Sequence, residues 1–325
     1  MTAILVAGGA GYIGAQTCKA LSRAGFLPVC VDNLSTGYRA AVQWGPLIEA
    51  DIRDEAAVRR AVAEYDCKAA VHFAAYSLVG ESNADPYKYY DNNVGAATAF
   101  AHTLIENGVQ ALVFSSTAAV YGDPQSDLID EDHPKAPINA YGATKLAFEQ
   151  ALGWFSRAHD LRHVILRYFN AAGADPDGEV GESHEPETHL IPNICKAALG
   201  TGPALSIYGD DYATPDGTAI RDYIHVVDLA DAHVAAVRHL LNGGGDLRLN
   251  VGTGRGASVA EVLAAAERVH GGKVPATYGP RRAGDPKALV ADASRIRQAL
   301  DWTPRYSDLD AVIRDALNWQ KNRRY

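Results

Sequence analysis

The chain of 325 residues contains no long apolar run. A membrane-spanning helix needs about 20 consecutive apolar residues, and no segment approaches that length. The N-terminus also lacks the charged region that opens a signal peptide, so its first apolar run, residues 3–7, is interpreted as a core strand. These absences predict a chain that neither spans a membrane nor carries an export signal.

Cysteine is scarce, and the histidines are not clustered. The four cysteines lie far apart in the sequence, which favours buried thiols in a reducing cytoplasm: Cys18, Cys30, Cys67 and Cys195. The 11 histidines show no clustered ligand spacing; His184 and His189 are five residues apart in a polar stretch, where zinc is not expected. We therefore predict no metal site from the sequence.

An excess of basic residues is also missing. The formal net charge is −9, which argues against nucleic acid as the main partner. There is no internal repeat and no low-complexity linker. With 47% hydrophobic residues, the chain can bury a large core, and its length suits one large domain with a smaller one.

A glycine turn follows the first predicted strand. Gly8, Gly11 and Gly14 stand three residues apart, and apolar residues then recur at helical spacing. Such glycines let the backbone approach a pyrophosphate, and the start of the helix offers it free amide groups. A second strand ends at Asp32, 18 residues after Gly14. A carboxylate there accepts hydrogen bonds from a ribose 2′-hydroxyl and repels a 2′-phosphate, which favours NAD over NADP.

Strands and helices then alternate along the chain, as in a doubly wound parallel sheet of the Rossmann type. Chemically useful residues follow or end these strands, where such folds bind ligands: Gly8, Asp32, Asp51, Ala74, Ser115 and Asn170. The fold class predicted is α/β, with a Rossmann domain over residues 1–170 and a smaller α/β substrate-binding lobe over residues 171–325. Residues 228–252 are expected to rejoin the first domain as a helix and a strand.

Tyr141 and Lys145 are four residues apart on a predicted helix over residues 141–158, so their side chains share one face. An ammonium beside a phenol favours the phenolate, which is a general base. Shifting the pKa from ~10 to neutrality needs roughly 4 kcal/mol. Two unit charges ~5 Å apart supply about 3 kcal/mol of this. We therefore expect Lys145 to do most of the work and a bound cation to complete it.

Several longer sequence segments, together with the motifs above, resemble the extended short-chain dehydrogenase/reductases. Within that group they resemble the UDP-glucose 4-epimerase family. The segments span nearly the whole chain in the same order: residues 8–14, 79–82, 89–93, 115–122, 141–145, 166–170, 217–230 and 280–285. The resemblance implies an NAD-dependent enzyme that interconverts UDP-glucose and UDP-galactose at C4 of the sugar. It also implies a homodimer formed through helices that include residues 89–107 and 141–158.

The mechanism that the resemblance implies keeps NAD tightly bound. Tyr141 removes the proton of the sugar 4-hydroxyl while C4 gives a hydride to the nicotinamide. Lys145 holds the phenolate and the nicotinamide ribose, and Thr117 hydrogen-bonds the same hydroxyl. The transient 4-keto sugar then turns over in the pocket, and the hydride returns to its other face.

The resemblance also assigns the remaining site residues. The cofactor-binding residues are Gly8, Gly11, Tyr12, Ile13, Gly14, Asp32, Asn33, Asp51, Ile52, Phe73, Ala74, Ala75, Asn93, Ser115, Tyr141, Lys145 and Phe169. The substrate-binding residues are Thr117, Tyr141, Asn170, Leu190, Tyr208, Arg221, Arg282, Asp285 and Leu289. Two arginines suit a diphosphate because each guanidinium offers a bidentate fork.

Five alternatives are weighed on the sequence. The intermediate size of Leu289 does not decide between hexoses and N-acetylhexosamines, and pentose-specific UDP-xylose/UDP-arabinose 4-epimerases share the same segments. A dehydratase is disfavoured because Ala118 and Ala119, not an Asp-Glu pair, follow Thr117. A net dehydrogenase would have to exchange its cofactor in each cycle. A non-enzymatic NAD sensor would have no need for Tyr141, Lys145 and Thr117.

Overall fold

A computed structural model describes residues 1–282 and 285–325; the predicted segment 280–285 includes Ala283 and Gly284, which lie outside the described residues. The strands are β1 Ala3–Ala7, β2 Leu27–Asp32, β3 Leu47–Glu49, β4 Cys67–His72, β5 Ala111–Thr117, β6 Leu128–Ile129, β7 Arg162–Tyr168, β8 Asn170–Ala172, β9 Leu205–Tyr208, β10 Ile220–His225, β11 Leu247–Val251, β12 Gly256–Ser258, β13 Ala276–Gly279 and β14 Ala288–Ala291. The helices are α1 Tyr12–Arg23, α2 Glu55–Tyr65, α3 Val79–Ala84, α4 Pro86–Tyr90, α5 Ala97–Glu106, α6 Ala140–His159, α7 Leu190–Ala198, α8 Val226–Leu241, α9 Val259–His270, α10 Ser294–Leu300 and α11 Leu309–Lys321.

The main sheet is parallel throughout and confirms the predicted α/β fold. Within the described residues it has seven strands in the order β3-β2-β1-β4-β5-β7-β11. Its strands β1 and β5 are buried along their whole length because helices cover both faces of the sheet. The strand order reverses between β1 and β4, and ligands of such sheets bind in the crevice at this switch point.

Residues distant in sequence complete this sheet. The strand β11 pairs in parallel with β7, with Leu249 opposite Leu166. The helix α8 precedes β11 and packs against α1 and against β4, β5 and β7. The chain therefore leaves the main sheet after β7 and returns to it through residues 226–251. The division into two lobes at residue 170 stays a prediction.

The smaller part of the molecule carries two further groups of strands. The strand β10 lies between β12 and β14 and also pairs with β8, while β6 pairs with β14. A short parallel pair joins β9 and β13. Helices α7, α9 and α11 share a separate apolar core. In the part of the chain that the structure describes, no helix combines the length and apolarity needed to cross a membrane.

The helical segment expected over residues 89–107 differs in detail. After the end of α4 it contains a wider π turn over Asp91–Ala96, and regular α-helix follows as α5. Asn92, Asn93 and Gly95 have low helix propensity, and the Asn93 side chain hydrogen-bonds to the loop after β4. Weak propensity together with this lateral contact explains the wider turn, a feature that is frequent near functional sites.

Candidate nucleotide and catalytic site

The turn between β1 and α1 fits a pyrophosphate. Gly8 has a φ of +81°, and a Cβ atom there would lie 2.6 Å from the amide nitrogen of Ala74. A Cβ at Gly14 would lie 2.0 Å from the Gly8 carbonyl oxygen, whereas one at Gly11 would meet nothing closer than 3.6 Å. Among the described residues, no side chain caps the start of α1. The turn thus leaves free amide groups facing open space, the arrangement that binds an anion.

Asp32 stands beside this turn at the end of β2. Its Oδ2 accepts from the Ala10 amide at 2.9 Å, and its Oδ1 accepts from the Leu34 amide at 2.9 Å. Burial raises the pKa of Asp32, and these two amides oppose the rise. Next to it, the Asn33 side chain donates to Asp51 at 3.0 Å. These contacts gather Asp32, Asn33 and Asp51 at one edge of the sheet, where adenosine ribose and adenine are predicted to bind.

The loop after β4 closes over the same turn. The amides of Phe73 and Ala74 both donate to the Ala7 carbonyl, at 2.8 and 3.1 Å. The buried Asn93 side chain donates to the Tyr76 carbonyl and to the Thr144 hydroxyl, at 3.0 and 3.2 Å, and accepts from the Tyr76 amide. Asn93 therefore ties this loop to α6. Its direct contact with the cofactor stays a prediction.

Tyr141, Lys145 and Thr117 come together where α6 passes the end of β5. Asn139 caps α6 by accepting from the Gly142 amide at 2.8 Å. The Lys145 Nζ donates to the Ser115 carbonyl at 2.9 Å and lies 5.9 Å from the centre of the Tyr141 ring. Thr117 is the last residue of β5; its hydroxyl accepts from the Ala119 amide at 3.1 Å and lowers the pKa of the Tyr141 phenol against the effect of burial.

The expected effect of Lys145 on Tyr141 requires a correction. Burial raises the pKa of Tyr141 above its usual value near 10, and only the Thr117 hydroxyl opposes this rise. Burial also lowers the pKa of Lys145 to about 7, against the opposing charge of Glu149. Desolvation thus disfavours both charged forms, the Tyr141 phenolate and the Lys145 ammonium, when no ligand is bound. A positive charge that a ligand brings therefore has to add to the effect of Lys145 before the phenolate is favoured.

Sequence reasoning missed a buried polar network behind Lys145. Glu149 lies one turn after Lys145 on α6 and accepts hydrogen bonds from Ser116 and from the Arg167 guanidinium. Arg167 also donates to the Tyr121 hydroxyl at 3.0 Å, and Tyr121 donates to Asn250 at 2.6 Å. The spacing of four residues between Lys145 and Glu149 was the available signal. The partner Arg167 sits on a different element, so no local pattern identifies it.

The predicted nucleotide-sugar residues fall into three groups. Arg221 on β10 forms an ion pair with Asp285 and stands opposite Leu289 in the β10–β14 register. The Arg282 guanidinium lies 4.0 Å from the centre of the Tyr208 ring. Leu190, by contrast, is the first residue of α7 and packs on the core of α7, α9 and α11.

Leu289 and Phe169 connect the first of these groups to the catalytic residues. Both pack against a small apolar cluster formed by Ala118, Val120, Tyr121 and Ile129, directly after Thr117. Asn170 begins β8 and pairs with Tyr223 of β10, two residues after Arg221. The structure therefore places Leu289 beside the turn that follows Thr117.

Comparison with known proteins identifies the class to which this fold and site belong. Residues 4–252 match the NAD-dependent epimerase/dehydratase family, and the chain belongs to that family. A UDP-glucose 4-epimerase of Azospirillum brasilense is 51% identical over 98% of this chain and 92% of its own length. These findings confirm the predicted family, NAD as the cofactor and the epimerase class of enzyme.

Solved structures agree in fold along the whole chain. The UDP-glucose 4-epimerase of Brucella ovis in complex with NAD has a TM-score of 0.96 and 50% identity, and the match covers 98% of each chain. The UDP-glucose 4-epimerase of Stenotrophomonas maltophila, with bound NAD and formylated UDP-arabinopyranose, has a TM-score of 0.96 and 39% identity, over 99% of this chain and 98% of that one.

Proposed function

We propose that this chain interconverts UDP-glucose and UDP-galactose by oxidising and then re-reducing C4 of the sugar. The observation that carries the proposal is the convergence of Tyr141, Lys145 and Thr117 at the end of β5. This end of β5 lies on the same edge of the sheet as the glycine turn after β1. When bound, NAD supplies the hydride acceptor and a positive charge.

The residues of the chain act on the proton. The Tyr141 phenolate oxygen accepts the proton of the 4-hydroxyl group and returns it after the keto sugar has turned over. Lys145 stabilises the phenolate, and the Ser115 carbonyl holds its ammonium in place at 2.9 Å. Thr117 orients the reacting hydroxyl by a hydrogen bond.

The nucleotide end of the substrate is assigned to the residues around β10 and β14. Arg221 and Arg282 pair with the diphosphate, because planar guanidinium groups match its oxygens. Arg221 already pairs with Asp285, and the Arg221 side chain is only 12% exposed. The diphosphate of the substrate therefore has to displace Asp285 from Arg221 or bind beside it. Asp285 is then free to accept from a ribose hydroxyl.

A dehydratase reaction fits the site less well. Elimination of water needs an acid and a base beside C5 and C6 of the sugar, and the two residues after Thr117 are alanines. Ala118 is buried in an apolar cluster with Val120 and Ile129. That environment offers no proton donor at the position.

The test is a substrate panel with no added NAD. UDP-galactose, UDP-N-acetylgalactosamine and UDP-arabinose are each incubated with the purified protein, and the products are separated by chromatography. We expect UDP-glucose from UDP-galactose at a rate at least tenfold above either other reaction. A 4-keto sugar that leaves the enzyme, or turnover only with added NAD, would indicate a dehydratase or a dehydrogenase. Inactivity on all three sugars with NAD retained would indicate an NAD sensor.

Replacement of Leu289 by tyrosine tests the sugar pocket. Leu289 packs with Phe169 beside Ala118, so added bulk reduces the space for an N-acetyl group. We expect kcat/KM to fall at least tenfold more for UDP-N-acetylgalactosamine than for UDP-galactose, measured with both substrates. Leu128→Tyr is the matched control, because Leu128 pairs with Val290 on the neighbouring strand but is exposed. Equal losses on both substrates in Leu289→Tyr contradict this account of the pocket.

We also propose that the protein is a cytoplasmic homodimer. The helix α6 and the neighbouring α4 expose large aromatic side chains, with Trp154 at 66% and Tyr87 at 79% exposure. Such exposed aromatic surface favours association. The cysteines of the described chain are free and buried, which agrees with a reducing compartment.

The Trp154→Glu substitution tests the dimer, because a carboxylate in an apolar interface is desolvated without a partner. We expect the molecular mass from light scattering to fall from that of two chains to that of one. Tyr278→Glu, on the exposed strand β13, serves as the control and should leave the mass unchanged. A wild-type protein that is monomeric at micromolar concentration would rule out the proposal.

A further inference from the structure

Four metal-ligating side chains meet in the segment between β8 and α7, away from Tyr141. Glu182, His184, Glu187 and His189 each bring one potential ligand atom to within 4.8 Å of the others. No metal was predicted there from the sequence. We propose that this cluster, hereafter the Glu182–His189 cluster, binds a divalent transition metal such as Zn²⁺ and that the ion holds the start of α7 in place.

The distances suit a four-coordinate ion. The His184 Nδ1 atom lies 3.1 Å from Glu182 Oε1 and 3.9 Å from Glu187 Oε1. The His189 Nδ1 atom contacts the same Glu182 oxygen and lies 3.9 Å from Glu187 Oε1. Ligands bound tetrahedrally at about 2.0 Å are separated from each other by about 3.3 Å. Around one ion, the two distances to Glu187 have to shorten, and the distances from His184 and His189 to Glu182 have to lengthen.

A buried oxygen without a partner is the second observation. The side chain of Glu187 is only 3% exposed and that of Glu182 only 4% exposed. Glu187 Oε1 accepts from the Thr188 and His189 amides, whereas Oε2 finds no hydrogen-bond donor among the described residues. Two carboxylates buried side by side need positive charge, and an unpaired buried oxygen is costly. A dication meets both needs.

A second acidic cluster nearby shows how the protein neutralises carboxylates without a metal. Asp175, Asp177 and Glu179 also lie close together, but the Lys19 Nζ stands within 2.6–2.9 Å of all three. An ammonium thus already occupies the centre of that group. The Glu182–His189 cluster has imidazoles at the corresponding places, and neutral imidazole is a metal ligand.

The ligand set also selects the kind of ion. Two imidazole nitrogens with two carboxylate oxygens suit Zn²⁺ and neighbouring transition metals, whereas Mg²⁺ and Ca²⁺ prefer oxygen alone. The His189 side chain is 49% exposed, which leaves a path for the ion to enter.

The place of the cluster in the fold indicates a structural role. His189 immediately precedes α7, whose first residue, Leu190, is predicted to contact the nucleotide-sugar. On the other side, the Glu182 carbonyl accepts from the Trp319 indole of α11 at 3.0 Å. An ion bound here therefore fixes the entry of α7 against α11 and leaves the proton chemistry at Tyr141 untouched.

The experiment measures metal binding directly. Tag-free protein is stripped of metal with a chelator and dialysed against about 10 µM free Zn²⁺. The metal content per chain is then measured by mass spectrometry. We expect about one zinc per chain and a rise of several degrees in the thermal midpoint on zinc addition. A wild-type protein that takes up less than about 0.1 zinc per chain overturns the proposal.

Variants assign the ion to the cluster. His184→Gln and Glu187→Gln should each lose the bound zinc and the thermal shift. His102→Gln removes a histidine that pairs with Glu106 on the protein surface. This control variant should keep both the bound zinc and the thermal shift. Zinc retained in full by His184→Gln and Glu187→Gln would place the ion elsewhere and contradict the proposal.

A second readout on the wild-type protein does not depend on the folding of variants. Co²⁺ bound by two imidazoles and two carboxylates in tetrahedral geometry absorbs visible light much more strongly than hydrated Co²⁺, because the tetrahedral field has no centre of symmetry. We expect this absorption when Co²⁺ replaces Zn²⁺, and its loss on adding Zn²⁺. A spectrum identical to that of hydrated Co²⁺ counts against a tetrahedral site.

Discussion

Tyr141→Phe is expected to lower kcat on UDP-galactose by about 10²–10⁴-fold, the contribution typical of a general acid–base residue. The substitution removes the phenolic oxygen that takes the 4-hydroxyl proton and changes the side-chain volume very little. The NAD contacts proposed for the glycine turn and Asp32 are unaltered. The purified variant should therefore keep NAD, measured by release of the nucleotide on denaturation, while turnover is lost.

Tyr65→Phe is the matched control for this substitution. Tyr65 ends α2 at the opposite edge of the sheet, directly before β4, so the same loss of a phenol should leave the rate unchanged. A Tyr141→Phe variant with near-normal turnover would falsify the role assigned to this residue. Loss of both NAD and fold in Tyr141→Phe would point instead to a purely structural tyrosine.

Lys145→Met is expected to lower kcat at neutral pH by about a hundredfold and to move the pH–rate profile upward by about 2 units. The Lys145 Nζ lies 5.9 Å from the Tyr141 ring centre. Unit charges at that separation and an effective dielectric near 20 interact by about 3 kcal/mol, or roughly a hundredfold in rate. Without the ammonium, the phenolate forms only at higher pH, so activity recovers as the pH rises.

The pKa of Lys145, about 7 in the protein without ligands, does not contradict this role. A phenolate formed beside the ammonium stabilises it, so the two charged forms appear together in the complex. The measurement is kcat between pH 6 and pH 10 for wild type, Lys145→Met and the exposed control Lys68→Met. If the pH–rate profile of Lys145→Met lies at the same pH as that of the wild type, Lys145 does not stabilise the phenolate.

Local patterns were sufficient for much of the fold and for the cofactor. The glycine turn, the acid at Asp32 and the pair Tyr141 and Lys145 each depend on residues within one or two adjacent elements. Strand ends were also predictable, because buried parallel strands are continuous apolar runs. Asp54 caps α2 by accepting from the Ala57 amide at 3.0 Å, a local contact between neighbouring residues.

Other parts of the site join residues that no local pattern connects. Arg221 and Asp285 are 64 residues apart, and Tyr121 and Asn250 are 129 apart. The motif resemblance named Arg221 and Asp285 separately, but only the β10–β14 register brings them together. The Glu182–His189 cluster is close in sequence, but its Glu182 carbonyl accepts from the Trp319 indole of α11, a contact that no local pattern predicts.

The amino-acid sequence by itself determined the doubly wound sheet, the preference for NAD and the proposal that Tyr141 and Lys145 act together, because backbone periodicity, glycine conformations and helix spacing act over short stretches of chain. The tertiary structure alone decided the electrostatics. Burial raises the pKa of Tyr141 and lowers that of Lys145, which reverses the direction expected from spacing alone. Desolvation depends on everything packed around a group, so it exists only once distant segments have come together.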